Sequence, residues 1–328
     1  MKDTIEKYDV LIVGAGPIGL ACGIEARKRD LSHIIIEKGA IVNSIFHYPT
    51  NMTFFSTSDR LEIGEVPFIS HGNKPTRREA LEYYRRVAGA WKLNIRIYER
   101  VLNIEGQAGD FIISSDKNTC RAKTVIVATG YYDNANLMNV PGEELSKVRH
   151  YYDEPHPYAY QKVAVIGGAN SAVDVALETY RVGAEVMMIV REPSLSDRIK
   201  YWVKPDIENR IKEGSIKAYF DSAVKEIRQN EIDVRTPNGL VTLENNFVLA
   251  MTGYHPDYEF IKKIGIEIRN DEWSSPVCDP DTFQTNKPGL FLAGVVCGGM
   301  KTAKLFIENS REHAIRILDF MEQHRLLQ

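Results

Sequence analysis

The sequence predicts an α/β protein of two three-layer domains, each built on a parallel sheet and one inserted into the other. Three observations lead there: the length, a glycine-rich turn joining an apolar strand to a helix, and a second copy of that unit further along the chain. At 328 residues and roughly 150 per domain, the chain has room for two separate cores. With 44% hydrophobic and 26% charged residues, its composition is that of a globular protein, which excludes a collagenous or disordered chain. Forty-one basic side chains against 44 acidic ones leave a net charge of −3. No overall positive field exists to hold nucleic acid or an acidic lipid surface, and neither is expected as a partner.

The first unit opens on Tyr8 to Val13, an unbroken β-favouring run of the kind buried on both faces of a parallel sheet. Gly14-Ala15-Gly16-Pro17-Ile18-Gly19 follows as G-x-G-x-x-G, then a helical stretch from Leu20 to Arg29 and a second apolar strand, Ile34 to Ile36. In such a turn the first glycine reverses the chain, the second admits a pyrophosphate to the backbone, and the third lets the helix pack close on the strand. Glu37 ends the second strand, 18 residues after Gly19, where a carboxylate accepts bonds from ribose hydroxyls. The Rossmann-like reading is therefore a dinucleotide site; the bland alternative is a tight strand-to-helix turn with a surface Glu.

The unit recurs 153 residues later, Gly167 answering Gly14. Gln161 to Ile166 reads as strand, Gly167-Gly168-Ala169-Asn170-Ser171-Ala172 as the turn, Val173 to Val182 as helix and Glu185 to Val190 as strand. Ala169 carries the smallest intrusion available in place of the middle glycine. Where the first copy ends in Glu37, this one ends in Arg191, with Arg198 and Lys200 close behind. A cationic rim suits a 2′-phosphate rather than free hydroxyls, which favours NADPH over NADH. A solvated basic loop is the alternative.

Two more segments pair in the same way. Lys123 to Ala128 runs into Thr129-Gly130-Tyr131, and Phe247 to Met251 into Thr252-Gly253-Tyr254. Gly289 to Gly294 is expected to be a strand ending in small residues, and Thr302 to Gln323 a long amphipathic helix. The opening residues carry charge without a long apolar stretch, so no signal peptide is expected. The most apolar later run, Gly289 to Met300, falls short of the roughly 20 residues a membrane span needs. Cys22, Cys120, Cys278 and Cys297 form no C-x-x-C. Neither a disulfide scaffold nor a metal site is expected, and the cytoplasm is the default location.

Together these segments resemble the two-dinucleotide-binding-domain flavoprotein oxidoreductases of thioredoxin-reductase-like size, over nearly the whole chain. The resemblance implies an FAD domain over 1–145 and 255–328 and an inserted NADPH domain over 158–250. It implies FAD contacts at Gly14, Gly16, Pro17, Ile18, Gly19, Glu37, Lys38, Ser44, Ala128, Thr129, Gly130, Gly294, Thr302 and Ala303. It implies NADPH contacts from Gly167 through Ala172, and at Arg191, Lys200 and Gly253. More narrowly, Ser44 to Thr50, Phe54-Phe55-Ser56, His150-Tyr151-Tyr152, Gly253 to Phe260 and Phe306-Ile307-Glu308-Asn309 resemble the bacillithiol disulfide reductases. That likeness implies NADPH-driven reduction of a small-molecule thiol disulfide by a homo-oligomer, a dimer or tetramer.

Two departures stand out. Such proteins often carry a Cys directly after the Gly-x-Gly-Pro of the first turn; Ile18 stands there, so a mechanism needing that thiol cannot operate. Cys22, one helical turn on, reads as a buried core residue. The wider flavoprotein pattern also places an Asp after the last strand's glycine, where this chain has Val295. Cys297, in the glycine-rich turn beside the expected flavin, is the one catalytic candidate, against a simpler role as a small apolar residue. His47, His150 and His255 could protonate a leaving thiolate, but read more simply as structural; Tyr201-Trp202 either border the nicotinamide or pack the insert, packing being the simpler reading. Rival readings are a flavin monooxygenase, a ferredoxin or flavodoxin reductase, and a non-catalytic redox sensor. The monooxygenase fingerprint F-x-G-x-x-x-H fails before His150, where Glu144 and Ser146 occupy its Phe and Gly positions.

Overall fold

The computed structural model describes residues 5–327, which divide into two units. The first takes the chain up to His47, Met52–Asn134 and everything from Tyr254 on; the second takes Tyr48–Asn51 and Ala135–Gly253.

In the first unit, strands β1 (Glu6–Val13), β2 (His33–Ile36) and β3 (Ile95–Arg96) run parallel in the order β3-β2-β1. Helix α1 (Pro17–Lys28) crosses from β1 to β2. β4 (Val101–Gln107) and β5 (Asp110–Ser115) form an antiparallel hairpin that continues into β6 (Thr119–Val127). The pattern of β6 explains its double role. From Thr119 to Lys123 every second residue is buried, as suits a strand wet on one face, and here it pairs antiparallel with β5. From Thr124 to Val127 all are buried, and here it lies parallel between β1 and the last strand, Leu290–Leu292.

α1 starts on Pro17, whose fixed φ and missing N–H suit the first helical position. Ile18 through Ala26 are buried on every side, and Leu20 and Ile24 each contribute roughly 1.5–3 kcal/mol of burial. Arg29, just beyond α1, binds Glu25 at 2.6 Å, Glu322 at 3.4 Å and Asp319, tying α1 to the C-terminal helix Ile307–Gln323.

The second unit repeats the plan. β7 (Val148–Arg149), β8 (Lys162–Ile166), β9 (Glu185–Ile189), β10 (Lys217–Tyr219) and β11 (Phe247–Ala250) form an all-parallel sheet ordered β10-β9-β8-β11-β7. Helix α2 (Asn170–Arg181) joins β8 to β9. An antiparallel three-stranded sheet, Ala223–Ile227, Glu231–Thr236 and Gly239–Glu244, covers a second cluster of apolar residues. No helix among the described residues is long and apolar enough to cross a membrane.

Four sequence expectations need correction. The second unit begins at Ala135, not near 158, because β7 adds as an edge strand to β11 and Ile227 N–H donates to Pro141 O at 2.9 Å. α2 starts at Asn170, so Asn170, Ser171 and Ala172 form its first turn. The last helix starts at Ile307, because Asn309 Oδ1 accepts the Phe306 N–H at 2.7 Å and caps the helix there; Thr302 and Ala303 lie in the preceding turn. Tyr201 does not pack the insert. It is 72% exposed and, among the described residues, stacks only on Trp202, edge to face at 4.9 Å.

Candidate functional site

Each unit places its glycine-rich turn under the strand-to-turn crossing that follows a neighbouring parallel strand. Gly14 has φ +104°, and a Cβ there would sit 2.7 Å from Ala128 O. Gly167 has φ +124°, and a Cβ there would also sit 2.7 Å from a carbonyl, Met251 O. Only glycine satisfies both the backbone and the approach. The tightest position is Gly19, whose Cβ would stand 1.9 Å from Gly14 O, so the helix can close on its own turn only without a side chain. Above Gly16 nothing lies within 4 Å, the open approach that a pyrophosphate requires.

Around the head of α1 the structure gathers Gly14 to Gly19, Glu37, Ala128, Thr129, Gly130 and Gly294. A Cβ on Gly294 would meet Ile18 Cγ1 at 3.2 Å, and one on Gly130 would meet Val295 Cγ2 at 3.9 Å. Ala128 N–H donates to Val13 O at 2.8 Å, and Ala293 N–H to Val127 O at 2.9 Å, locking crossing and last strand to the sheet. Glu37 is buried and accepts from Ala15 N–H at 2.7 Å and Gly39 N–H at 2.9 Å. Burial pushes its carboxyl up, opposed by those two bonds. It thus shapes the turn and keeps lone pairs for a ribose, since a carboxylate has about four acceptor sites. Lys38 pairs with Asp133 at 2.7 Å, and Ser44 lies half-buried in the short helical turn Asn43–Phe46. The Thr129 hydroxyl is buried without a hydrogen-bond partner in the protein. An orphaned donor beside an open glycine turn fits a polar ligand such as a dinucleotide.

In the second unit Ala169 caps α2 and Ser196 N–H donates to Gly168 O at 2.9 Å. The Asn170 side chain holds the basic loop, donating to Arg198 O and accepting from Lys200 N–H, both at 2.8 Å. Lys200 Nζ is 2.6 Å from Asp174 Oδ2, an ion pair internal to the unit. Arg191 is 85% exposed, near Glu192 at 3.1 Å, and Arg198 is exposed as well. The cations open to a 2′-phosphate are therefore Arg191 and Arg198, more than Lys200. Gly253, at φ +87°, follows Thr252, whose hydroxyl donates to Asn136 O at 2.6 Å.

Two of the three candidate acids are held structurally. His255 Nδ1 is 2.7 Å from Pro256 O, the ring stacked on Tyr258. His150 Nε2 is 3.3 Å from Glu143, and His47 is exposed. Cys22 is fully buried, and burial pushes its thiol up; burial likewise pushes Cys120 up to about 11. Two groups escaped the sequence reading. His313 Nδ1 accepts the Gly294 N–H at 3.1 Å, and Cys278 lies against Cys297. Neither has a local signal: their partners are 19 residues away in both cases.

Two units with parallel sheets, each with a glycine turn beneath a crossing, have the fold of the two-dinucleotide-binding oxidoreductases. Comparison with known proteins agrees: the family described as pyridine nucleotide-disulphide oxidoreductase matches residues 11–294, and the chain belongs to it. It is 44% identical over 305 residues to the bacilliredoxin reductase Bdr of Bacillus subtilis (strain 168), covering 92% of this chain and 94% of that one. Its fold matches the bacillithiol disulfide reductase Bdr (YpdA) of Staphylococcus aureus with a TM-score of 0.95 and 38% identity, over 98% of this chain and 100% of that one. The Bacillus cereus protein of the same name gives 0.94 and 42% identity, over 97% and 100%.

Proposed function

We propose that this chain is a cytoplasmic, FAD-carrying, NADPH-dependent reductase of a low-molecular-weight thiol disulfide, with bacillithiol disulfide as the first substrate. The observation that carries the reading is the pair of glycine turns, each packed so close beneath its crossing carbonyl that an added Cβ would stand 2.7 Å from it, one followed by an acid and the other by exposed arginines. FAD is assigned to the first unit, at Gly14 to Gly19, Glu37, Ala128 to Gly130 and Gly294; NADPH to the second, at Gly167 to Ala172, Arg191 and Gly253. When bound, the flavin supplies two-electron chemistry between a nicotinamide hydride and a disulfide. The protein's part is to bind and orient. Backbone N–H groups at the heads of α1 and α2 meet the diphosphates, Glu37 repels a 2′-phosphate from the flavin site, and Arg191 welcomes one at the other.

The names of the relatives support the acceptor class, and the Bacillus subtilis name favours a second acceptor, an oxidised bacilliredoxin. A yellow purified protein that oxidises NADPH with bacillithiol disulfide, and not with glutathione disulfide or without acceptor, supports the reading. Oxygen-dependent consumption without any disulfide points to a monooxygenase instead. A dimer or tetramer is proposed on exposed apolar side chains such as Phe55 and Ile69; sedimentation tests it, and a monomer at micromolar concentration would refute it.

Arg191→Ala is expected to weaken NADPH about tenfold while sparing NADH, the loss of one charge-assisted phosphate contact of about 1.4 kcal/mol. Lys200→Ala is expected to change the ratio less, because Asp174 already holds that ammonium. Steady-state KM values for both nucleotides check the pair, and equal effects of the two substitutions would refute the assignment.

A further inference from the structure

The two half-buried cysteines of the first unit stand together. Cys278 lies in a bridge opposite Thr285, and Cys297 in the Gly294–Gly298 turn after the last strand. Their thiols lie against each other, both side chains pack against the same apolar cluster, and both are free. Cys278 is partly exposed, and Asp279 and Pro280 beside it are exposed. Gly294, three residues before Cys297, packs on Ile18, the position where the resemblance would have put a thiol.

We propose that Cys278 and Cys297 are a redox-active dithiol that reduces a low-molecular-weight disulfide, Cys278 attacking and Cys297 resolving; this rests on the disulfide-reductase reading above. The order of action follows from their surroundings. The Cys297 thiol bonded to it, and then the Arg269 guanidinium, hold Cys278 below the usual thiol range against the opposing effect of burial. That same bond, and then burial, push Cys297 up. The thiolate is the nucleophile, so Cys278 acts first.

Its thiolate attacks one substrate sulfur, the substrate S–S bond breaks, and the first thiol leaves with a proton. Cys297 then gives up its proton and attacks Cys278 Sγ, which releases the second thiol and leaves a Cys278–Cys297 disulfide. Two electrons and two protons pass to the substrate. The dithiol is restored by the hydride of a reduced nicotinamide together with one solvent proton.

The test uses the full-length holoprotein, reduced, freed of reductant and kept anaerobic. One equivalent of bacillithiol disulfide is added, the released low-molecular-weight thiols are removed by gel filtration in denaturant, and the remaining protein thiols are counted. The expected result is a fall from four titratable thiols to two, with a peptide linking Cys278 to Cys297 in the mass spectrum. Cys297→Ser, with flavin content checked as a measure of folding, is expected to trap bacillithiol on Cys278. Four thiols remaining, or an adduct found on Cys297 of Cys278→Ser but never on Cys278, would overturn the proposal. NADPH oxidation separates the two readings. Undiminished disulfide reduction by both serine variants sinks the dithiol and leaves the proposed function standing, whereas closure of the pair without NADPH turnover does the reverse.

Discussion

Gly19→Ala is expected to yield a protein that is colourless and less stable by roughly 3 kcal/mol or more. The added Cβ would stand 1.9 Å from Gly14 O and 3.0 Å from Gly14 C, so it meets backbone that has nowhere to go. Gly14 itself is pinned, its N–H donating to Ile36 O at 2.8 Å and its side-chain position closed by Ala128 O. Relief requires α1 to slide away from β1, which opens the core at Leu20 and Ile24 and spoils the diphosphate turn together. Gly16→Ala is the matched control, since its Cβ would meet nothing within 4 Å of protein. It is expected to fold with nearly unchanged stability and to lose flavin affinity alone. Denaturant unfolding and the visible spectrum of the two variants check this, and equal stability losses would contradict it.

A second large effect is expected from pH. His313 is buried, stacked on Phe283 at 3.8 Å, and accepts the Gly294 N–H through Nδ1, which requires a neutral ring. Burial, and then the nearby Arg316 charge, pull its pKa down to about 4 from an ordinary 6.5. Above pH 6.5 folded and unfolded chains both carry the neutral ring, and the stability is whole. As the pH falls, the unfolded chain takes a proton that the folded chain refuses until about pH 4. The difference amounts to about 3 kcal/mol of lost stability across that window. His313→Gln keeps an acceptor and cannot titrate. Its unfolding free energy is expected to fall less steeply between pH 6.5 and 4 than that of the parent, by about the same 3 kcal/mol; parallel pH profiles would rule His313 out as the cause.

Both β-turn-α-β units were legible because their signals are local. Val10 to Val13 and Ile34 to Ile36 are continuous apolar runs, and the glycines sit where turn and close packing demand them. The start of the last helix was not legible from amphipathicity, because Thr302 to Phe306 continue the apolar spacing. The stop is set by one side chain, Asn309, reaching back to Phe306 N–H. The basic rim was legible as composition only. That Lys200 is neutralised by Asp174, 26 residues earlier, depends on α2 folding past the loop. For the same reason the Cys278–Cys297 contact and the His313–Gly294 bond left no trace: each joins segments that meet only when the last strand closes on β6. The unit boundary was missed because β7 is two residues long and carries no pattern of its own.

Electrons are expected to pass between two separately held dinucleotides. Mixing the purified yellow holoprotein with one equivalent of NADPH under anaerobic conditions, and then with bacillithiol disulfide, tests it in a single trace. The visible flavin band is expected to bleach on the first addition and to return on the second. A band that NADPH leaves untouched, or that only oxygen restores, would contradict it.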